Sequence, residues 1–419
     1  MAQYVVRGGN RLSGSVRVAG MTKNAGLKQM AAALLAPGTT TLRNVTPVVD
    51  LDVMMDLLRG IGAAVEWGAD PGVLHVGVSE ELQPEAPYEL VSRMRASINV
   101  LGPLLARCGH ARVAFPGGDN IGSRKLDMHF AALEAMGADL EVVHGFVEAK
   151  CNVLCGARVV LEFPSVGATE TVLTTAVLAK GQTIIENAAR EPEIGDLCDF
   201  LTEMGARING AGSSTIEIEG VDEVHPVDHA IVGDRIEAGT LLMACGAAGG
   251  DISVEGIDLH HVEMVVRKLG EMGMTIEPTP DGLTARSDDP LRSVDVQTLP
   301  FPGFATDFMP LAVALLTRAE GTAIVTENIF DSRFAFVDEL NRLGADIKTE
   351  GRHAVVRGVE RLTGAPVHAH DVRAGAALVL AALGADGETV VHDPGHVDRG
   401  YADLPGKLRS LGAEVTRLE

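Results

Sequence analysis

Apolar and polar positions along the chain fall into one pattern that recurs six times. A run of small apolar residues, apolar on nearly every side of a helix, is followed by a glycine that opens a β-type stretch. An amphipathic segment of helical period comes next and ends in a tripeptide of the (L/M)-G-A kind. The small-residue runs lie at 25–35, 96–106, 168–179, 238–247, 309–317 and 374–383. Helices apolar all round are buried ones. The strand-opening glycines are Gly38, Gly109, Gly181, Gly250, Gly321 and Gly387, with Gly109 the loosest copy. The tripeptide glycines are Gly62, Gly137, Gly205, Gly273, Gly344 and Gly412, at intervals of 75, 68, 68, 71 and 68, a regularity chance does not produce. Leu197, Phe200, Leu201 and Met204 show the 3.6-residue period of the second helix. The tripeptide glycine then reads as its C-terminal stop.

Six buried helices in one layer would need an implausibly wide core, so the units are expected to close by threes into two similar α/β domains. A length of 419 residues agrees, exceeding the size at which one core keeps growing. Polar punctuation at 224–233 marks the break between the third and fourth units. The segment before Lys23 is left over from the first unit, and six repeats cut at an arbitrary point leave complementary ends. The expected domains are therefore 23–231, with a mobile loop around 115–124, and 1–22 with 232–419.

Composition narrows the function classes. Hydrophobic content of 46% with 22% charged residues is ordinary globular composition. Aromatics at 4% leave few platforms for stacking bases, and a net charge of -22 repels nucleic acid and anionic lipid. No nucleic-acid or membrane partner is expected. A small anionic substrate would be repelled too, so a site for one must gather its cations locally. Cys108, Cys151, Cys155, Cys198 and Cys245 are too scattered for a disulfide framework. The start of the chain lacks an apolar signal region and the uncharged run 374–385 is too short to span a bilayer, so a reduced, cytoplasmic protein is expected.

The N-terminal ends of the buried helices carry Lys23 with Asn24, Arg95, Ser165 to Thr169, Arg235 with Glu237, Thr306 with Asp307, and Asp371 with Arg373. Helix N-termini present unpaired N–H groups and partial positive charge, so several together bind anions. Capping accounts for Asn24, Ser165, Thr306 and Asp371. It leaves Lys23, Arg95 and Arg373 unexplained, because cations there oppose the dipole. Arg124, Arg333 and Arg399 extend the set of cations. Between the apolar stretch 111–115 and a helix starting near Leu126, F-P-G-G-D-N-I-G-S-R-K-L-D combines three glycines with Asp119, Arg124 and Lys125, the make-up of a loop that carries an acid to a bound anion. No P-loop and no Rossmann fingerprint occurs. Phosphate or carboxylate handling is the chemistry these residues suit.

Nine motifs together resemble the enolpyruvyl transferases from about Tyr4 to Glu414: T-K-N-A at Thr22, R-A-S-I at Arg95, P-G-G-D-N-I-G-S-R at Pro116, S-V-G-A-T-E at Ser165, N-A-A-R-E-P-E-I at Asn187, D-R-I-E at Asp234, F-A-T-D at Phe304, D-V-R-A at Asp371 and D-R-G-Y at Asp398. The resemblance implies two inverse α/β barrels, each of three βαβαββ units, joined by a two-strand hinge. It implies transfer of the enolpyruvyl group of phosphoenolpyruvate to the 3-hydroxyl of UDP-N-acetylglucosamine through a tetrahedral ketal, with loss of phosphate, no metal and no cofactor, in peptidoglycan precursor synthesis.

By position, the resemblance assigns Lys23, Arg124 and Arg399 to the phosphate and carboxylate of phosphoenolpyruvate, with Arg95, Arg333 and Arg373 in support. It assigns Asn24 and Asp307 to the sugar, Asp307 as general base. Arg124, Lys125, Leu126, Asp127 and Met128 fall at the uridine, Ser165, Val166 and Gly167 at the diphosphate, and Ile329 at a further nucleotide contact. Asp371 lies beside Arg373 in the matched D-V-R-A. Many members carry, at Asp119, a cysteine that acts as proton donor and is alkylated by fosfomycin. An aspartic acid can donate the proton but is a poor target for the epoxide, so an active, fosfomycin-insensitive enzyme is expected. Met21-Thr22 is one residue longer than the usual pattern, and Lys125 stands where proline is common. Two alternatives stay open: an enzyme with a shifted acceptor such as a UMP-like nucleotide, and a silent nucleotide-sugar-binding paralogue.

Overall fold

The computed structural model describes residues 2–419 apart from Asp119, Asn120, Ser123, Arg124 and Asp289. Its described residues form two compact α/β units, one of 20–118 with 125–232, the other of 2–19, 121–122 and 233–419.

Each unit carries three four-stranded sheets of one design: a parallel pair at one edge, then two antiparallel pairings. In the 20–232 unit, Asp228–Ala230, Gly38–Arg43, Leu74–Val78 and Ala64–Trp67 make one sheet. Glu85–Ala86, His110–Ala114, Phe146–Lys150 and Asp139–Val143 make the second. Arg158–Val160, Gln182–Glu186, Thr215–Glu219 and Arg207–Asn209 make the third. In the other unit one sheet runs Leu12–Arg17, Gly250–Glu255, Gly282–Ser287, Thr275–Thr279. The next runs Val296–Gln297, Thr322–Thr326, His353–Arg357, Asp346–Glu350. The last runs Pro366–His368, Glu388–His392, Gln3–Arg7, Glu414–Leu418, with Gln3–Arg7 paired on both sides.

The helix-stop and strand-opening glycines have one physical basis. Gly62, Gly137, Gly205, Gly273, Gly344 and Gly412 all have positive φ, as do Gly38, Gly109, Gly181, Gly250, Gly321 and Gly387. Side chains disfavour that backbone region, so glycine marks both joints of every unit.

Arg235–Ala248, Met309–Leu316 and Val372–Leu383 pack on one another at the centre of their unit. Every residue of Met309–Leu316 and Val372–Leu383 is buried. Small residues set the separation: a Cβ on Gly239 would come within 2.3 Å of Phe308 Cε1. In the other unit the corresponding segments are less regular. Thr22–Gly26 winds as a π-helical turn ahead of Leu27–Ala32 and a 3₁₀ turn over Ala33–Leu35. Arg95–Val100 is likewise 3₁₀ before Leu101–Cys108. Non-α turns at functional sites re-aim side chains that a continuous helix would hold on its face.

Candidate active site

The first group of candidate residues lies in the 20–232 unit. Lys23, in the π-helical turn, forms an ion pair with Asp50, whose side chain is 2% exposed. Asp50 stands in the first turn of the Val49–Ile61 helix, where its charge also suits the dipole. Asn24 contributes its carbonyl to Lys28 Nζ at 2.9 Å, and Lys28 approaches Glu170 at 3.6 Å. Glu170 also accepts from Asn99 Nδ2 at 2.7 Å. Asn24 is thus inside a turn and not a cap.

Arg95 Nη2 reaches the carbonyl of Lys125 at 3.4 Å, tying it to the segment that runs through Leu126, Asp127 and Met128 into the Asp127–Ala135 helix. Asp127 Oδ1 accepts from Met128 N at 2.9 Å. Next along, His129 is buried and its Nδ1 meets Thr171 Oγ1 at 2.9 Å. Burial, with the Arg95 charge adding to it, pushes His129 down to about 4, so the ring is neutral. A Cβ on Gly167 would stand 3.1 Å from His129 Cε1, so glycine lets the start of the Val166–Ala176 helix close over the ring. Ser165 caps that helix through Ala168 N. Arg95, Lys125, Asp127, His129 and Gly167 therefore adjoin, and the sequence reading missed His129. Asp119 and Arg124 lie outside the described residues.

The second group lies in the other unit. Asp307, in a 3₁₀ turn over Thr306–Phe308, accepts from Arg373 Nε at 2.8 Å. Burial raises the Asp307 pKa, but the Arg373, Arg333 and Arg235 guanidiniums outweigh it and hold the carboxyl well below its usual range. Its side chain remains 34% exposed against 4% for Arg373. Arg373 is fixed from several sides: Asp371 Oδ1 accepts from its backbone N–H at 2.8 Å, and its Cζ lies 5.1 Å from the Tyr401 ring centroid. Buried Arg373 Nη1 and Arg333 Nε have no hydrogen-bond partner among the described residues. Unmet guanidinium donors beside a solvent-reached carboxylate are the arrangement an anionic ligand completes.

Glu327, fully buried, organises this region and was also missed. Its Oε2 accepts from Thr306 Oγ1 at 2.8 Å, and its Oε1 from Ile329 N at 2.7 Å, Phe330 N at 3.0 Å and Thr298 Oγ1 at 2.9 Å. One carboxylate so joins the turn bearing Asp307 to the loop bearing Ile329 and Arg333. Thr306 is therefore a partner of Glu327 and not a helix cap.

Asp234 caps the Arg235–Ala248 helix through Ile236 N and Glu237 N and is pushed up to about 6, burial first, with Glu237 adding and Arg373 opposing. Arg399 follows the Gly395–Asp398 helix. Among the described residues no cluster of three or more His, Cys, Asp or Glu side chains could hold a metal ion, and no helix is long and apolar enough to cross a membrane.

Residues 6–408 match the family model described as EPSP synthase (3-phosphoshikimate 1-carboxyvinyltransferase). The chain is 54% identical, over 99% of each sequence, to the UDP-N-acetylglucosamine 1-carboxyvinyltransferase of Corynebacterium jeikeium. It is 51% identical, again over 99% of each, to the protein of that name from Mycobacterium tuberculosis. Among solved structures, the enolpyruvyl transferase NikO from Streptomyces tendae superposes with a TM-score of 0.89 at 28% identity, covering 99% of this chain and 98% of that one. An EPSP synthase from Acinetobacter baumannii gives 0.76 at 18% identity over the full length of both, a likeness of fold.

Proposed function

Given that the chain belongs to the enolpyruvyl (1-carboxyvinyl) transferase family, we propose that it transfers the enolpyruvyl group of phosphoenolpyruvate to the 3-hydroxyl of UDP-N-acetylglucosamine, releasing phosphate, in cytoplasmic peptidoglycan precursor synthesis. The observation that carries this reading is 54% identity over 99% of the chain to a UDP-N-acetylglucosamine 1-carboxyvinyltransferase. The relative at 51% identity from Mycobacterium tuberculosis carries the same name, which favours the sugar nucleotide over a shifted acceptor.

Protonation of C3 of phosphoenolpyruvate makes C2 electrophilic, and removal of the sugar hydroxyl proton makes the nucleophile, so an acid and a base are both required. Asp119 donates the first proton and Asp307 accepts the second. The C2–O bond formed gives the tetrahedral ketal; loss of a C3 proton and departure of the phosphate with the C2–O bonding pair then yield the enol ether. Lys23, Arg124 and Arg399, with Arg95, Arg333 and Arg373, neutralise phosphate and carboxylate. Asn24 and Asp307 address the sugar, Asp371 fixes Arg373, 124–128 with Ile329 hold the uridine end, and Ser165, Val166 and Gly167 the diphosphate. In the ligand-free arrangement Arg373 makes Asp307 a weak base. A substrate anion that takes up the unmet N–H groups of Arg373 and Arg333 draws on the same guanidiniums and returns basicity to Asp307, coupling base strength to substrate binding.

The test is phosphate release from phosphoenolpyruvate with UDP-N-acetylglucosamine, UMP or shikimate-3-phosphate offered separately. Turnover with the first alone is expected. Turnover with UMP alone would instead mark a shifted acceptor, and silence with all three a binding protein.

A further inference from the structure

Arg399 is flanked by two residues, Asp398 and Tyr401, that the reaction above does not use, and both are tied into the core of their unit. Asp398 closes the short Gly395–Asp398 helix, its N–H donating to Pro394 O at 3.1 Å. Its Oδ1 accepts from the Tyr4 hydroxyl and its Oδ2 from Arg417 Nη1. Tyr4 and Arg417 are cross-strand partners in the antiparallel pair Gln3–Arg7 and Glu414–Leu418, so their side chains leave one face together and reach one carboxylate. Arg417 Cζ lies 5.9 Å from the Tyr4 ring centroid. Tyr4 is 0% exposed, and burial, reinforced by the bond to Asp398, pushes its phenol well above the ordinary range, so it stays a donor.

On the other side of Arg399, Gly400 N and Tyr401 N both donate to Val397 O at 3.0 Å, and the Tyr401 hydroxyl meets Thr240 Oγ1 at 2.8 Å. The Tyr401 ring lies under Arg373, so this anchor also belongs to the second group of candidate residues. Two bonds to a charged carboxylate are stronger than neutral ones and fix it in two directions.

We propose that Tyr4 and Arg417 are positioning residues for Arg399: through Asp398 they set where its guanidinium meets the phosphoenolpyruvate anion. This rests on the reading of Arg399 as a ligand of phosphoenolpyruvate. Neither residue lies near Arg399 in sequence; they stand at opposite ends of the chain and are joined by the sheet.

The test is steady-state phosphate release with phosphoenolpyruvate and UDP-N-acetylglucosamine varied in turn. Tyr4→Phe keeps the buried shape and loses only the donor; Arg417→Met keeps the length of the side chain at a position 37% exposed and loses the charge. In each, KM for phosphoenolpyruvate is expected to rise about tenfold, the order of one lost hydrogen bond to a charge, while KM for the sugar nucleotide holds within about twofold. Arg417→Lys is expected to restore part of the loss. In an Arg399→Lys background, Tyr4→Phe is expected to add nothing further, because its effect passes through Arg399. Equal losses in both backgrounds, or equal rises in both KM values, would overturn the proposal while leaving the enzyme reading intact. A wild-type protein that releases no phosphate would overturn the reading itself, and the proposal with it.

Discussion

At the scale of single residues, charge placement decides what each acid can do. Asp307 is held below its usual range, so any stability it contributes is complete above about pH 4 and is lost only at lower pH, as it is protonated in the fold. In the free enzyme it is therefore ionised throughout the working range, and no acid limb of kcat/KM above pH 4 belongs to it. Asp307→Asn is expected to lower kcat by about 10²- to 10⁴-fold with phosphoenolpyruvate still binding, measured by single-turnover rates and by calorimetry; full activity of the amide would end its role as base. Asp234 has the opposite sign. Its folded value of about 6 lies above its ordinary 3.8, so its contribution to stability is present below pH 4 and lost as pH rises through 6. At pH 8 the buried charge costs about 3 kcal/mol. Asp234→Asn retains a capping side chain and is expected to raise the urea midpoint at pH 8 while leaving it unchanged at pH 4; a shift of equal size at both would show that the charge is not the cause. At Asp119 the expectation is chemical: turnover survives prolonged fosfomycin, and Asp119→Cys becomes sensitive to irreversible inactivation.

At the scale of elements, glycine has two distinct uses, and a single substitution separates them. Gly239 faces Phe308, which is itself buried and set edge-on to Phe304 at 5.9 Å, so the ring cannot withdraw. Gly239→Ala should destabilise by about 1–3 kcal/mol through overpacking, more than the helix gains from alanine. Gly270, in the Leu259–Met272 helix, faces open space where a Cβ would stand. There the same change should stabilise by up to about 1 kcal/mol. Thermal unfolding of the two variants reads both signs, and a common sign would mean that packing at Phe308 is not limiting. The same contrast explains what could be read from sequence. A left-handed glycine at the end of a periodic segment leaves a visible mark, so the six units and both of their joints were legible. The π-helical and 3₁₀ turns at Thr22–Gly26 and Arg95–Val100 leave none, because their residues are as helix-compatible as their neighbours. Glu327 and Asp50 were equally hidden. A lone acid after a strand or at a helix start reads as solvated or as a dipole partner, and only the fold shows that Glu327 collects donors from Thr298, Thr306, Ile329 and Phe330. The cations of the candidate site were conspicuous for the converse reason, since charge at the mouth of an apolar helix has no packing explanation.

At the scale of the whole molecule, the backbone hydrogen bonds of each sheet close within one unit, but the two units differ in how much chain they need. All twelve strands of the 20–232 unit's sheets come from within those residues. The other unit borrows Gln3–Arg7 and Leu12–Arg17. The first is an inner strand, paired with Glu388–His392 on one side and Glu414–Leu418 on the other; the second is an edge strand parallel to Gly250–Glu255. Removing an inner strand takes a partner from both of its neighbours and leaves Glu414–Leu418 with none in the sheet, and unpaired buried backbone is costly. Residues 20–232 expressed alone are therefore expected to unfold cooperatively, and residues 233–419 alone to stay unfolded. The register supplies the remedy. Gln3 and Leu418 are antiparallel partners, so a two-residue Asn-Gly turn after Glu419 leads directly into residue 2. The permuted chain 233–419, turn, 2–19 should then recover a cooperative urea transition and amide protection in all three sheets. Cooperative folding of 233–419 without the added strands would show that helix packing, and not the sheet pairing, defines that unit.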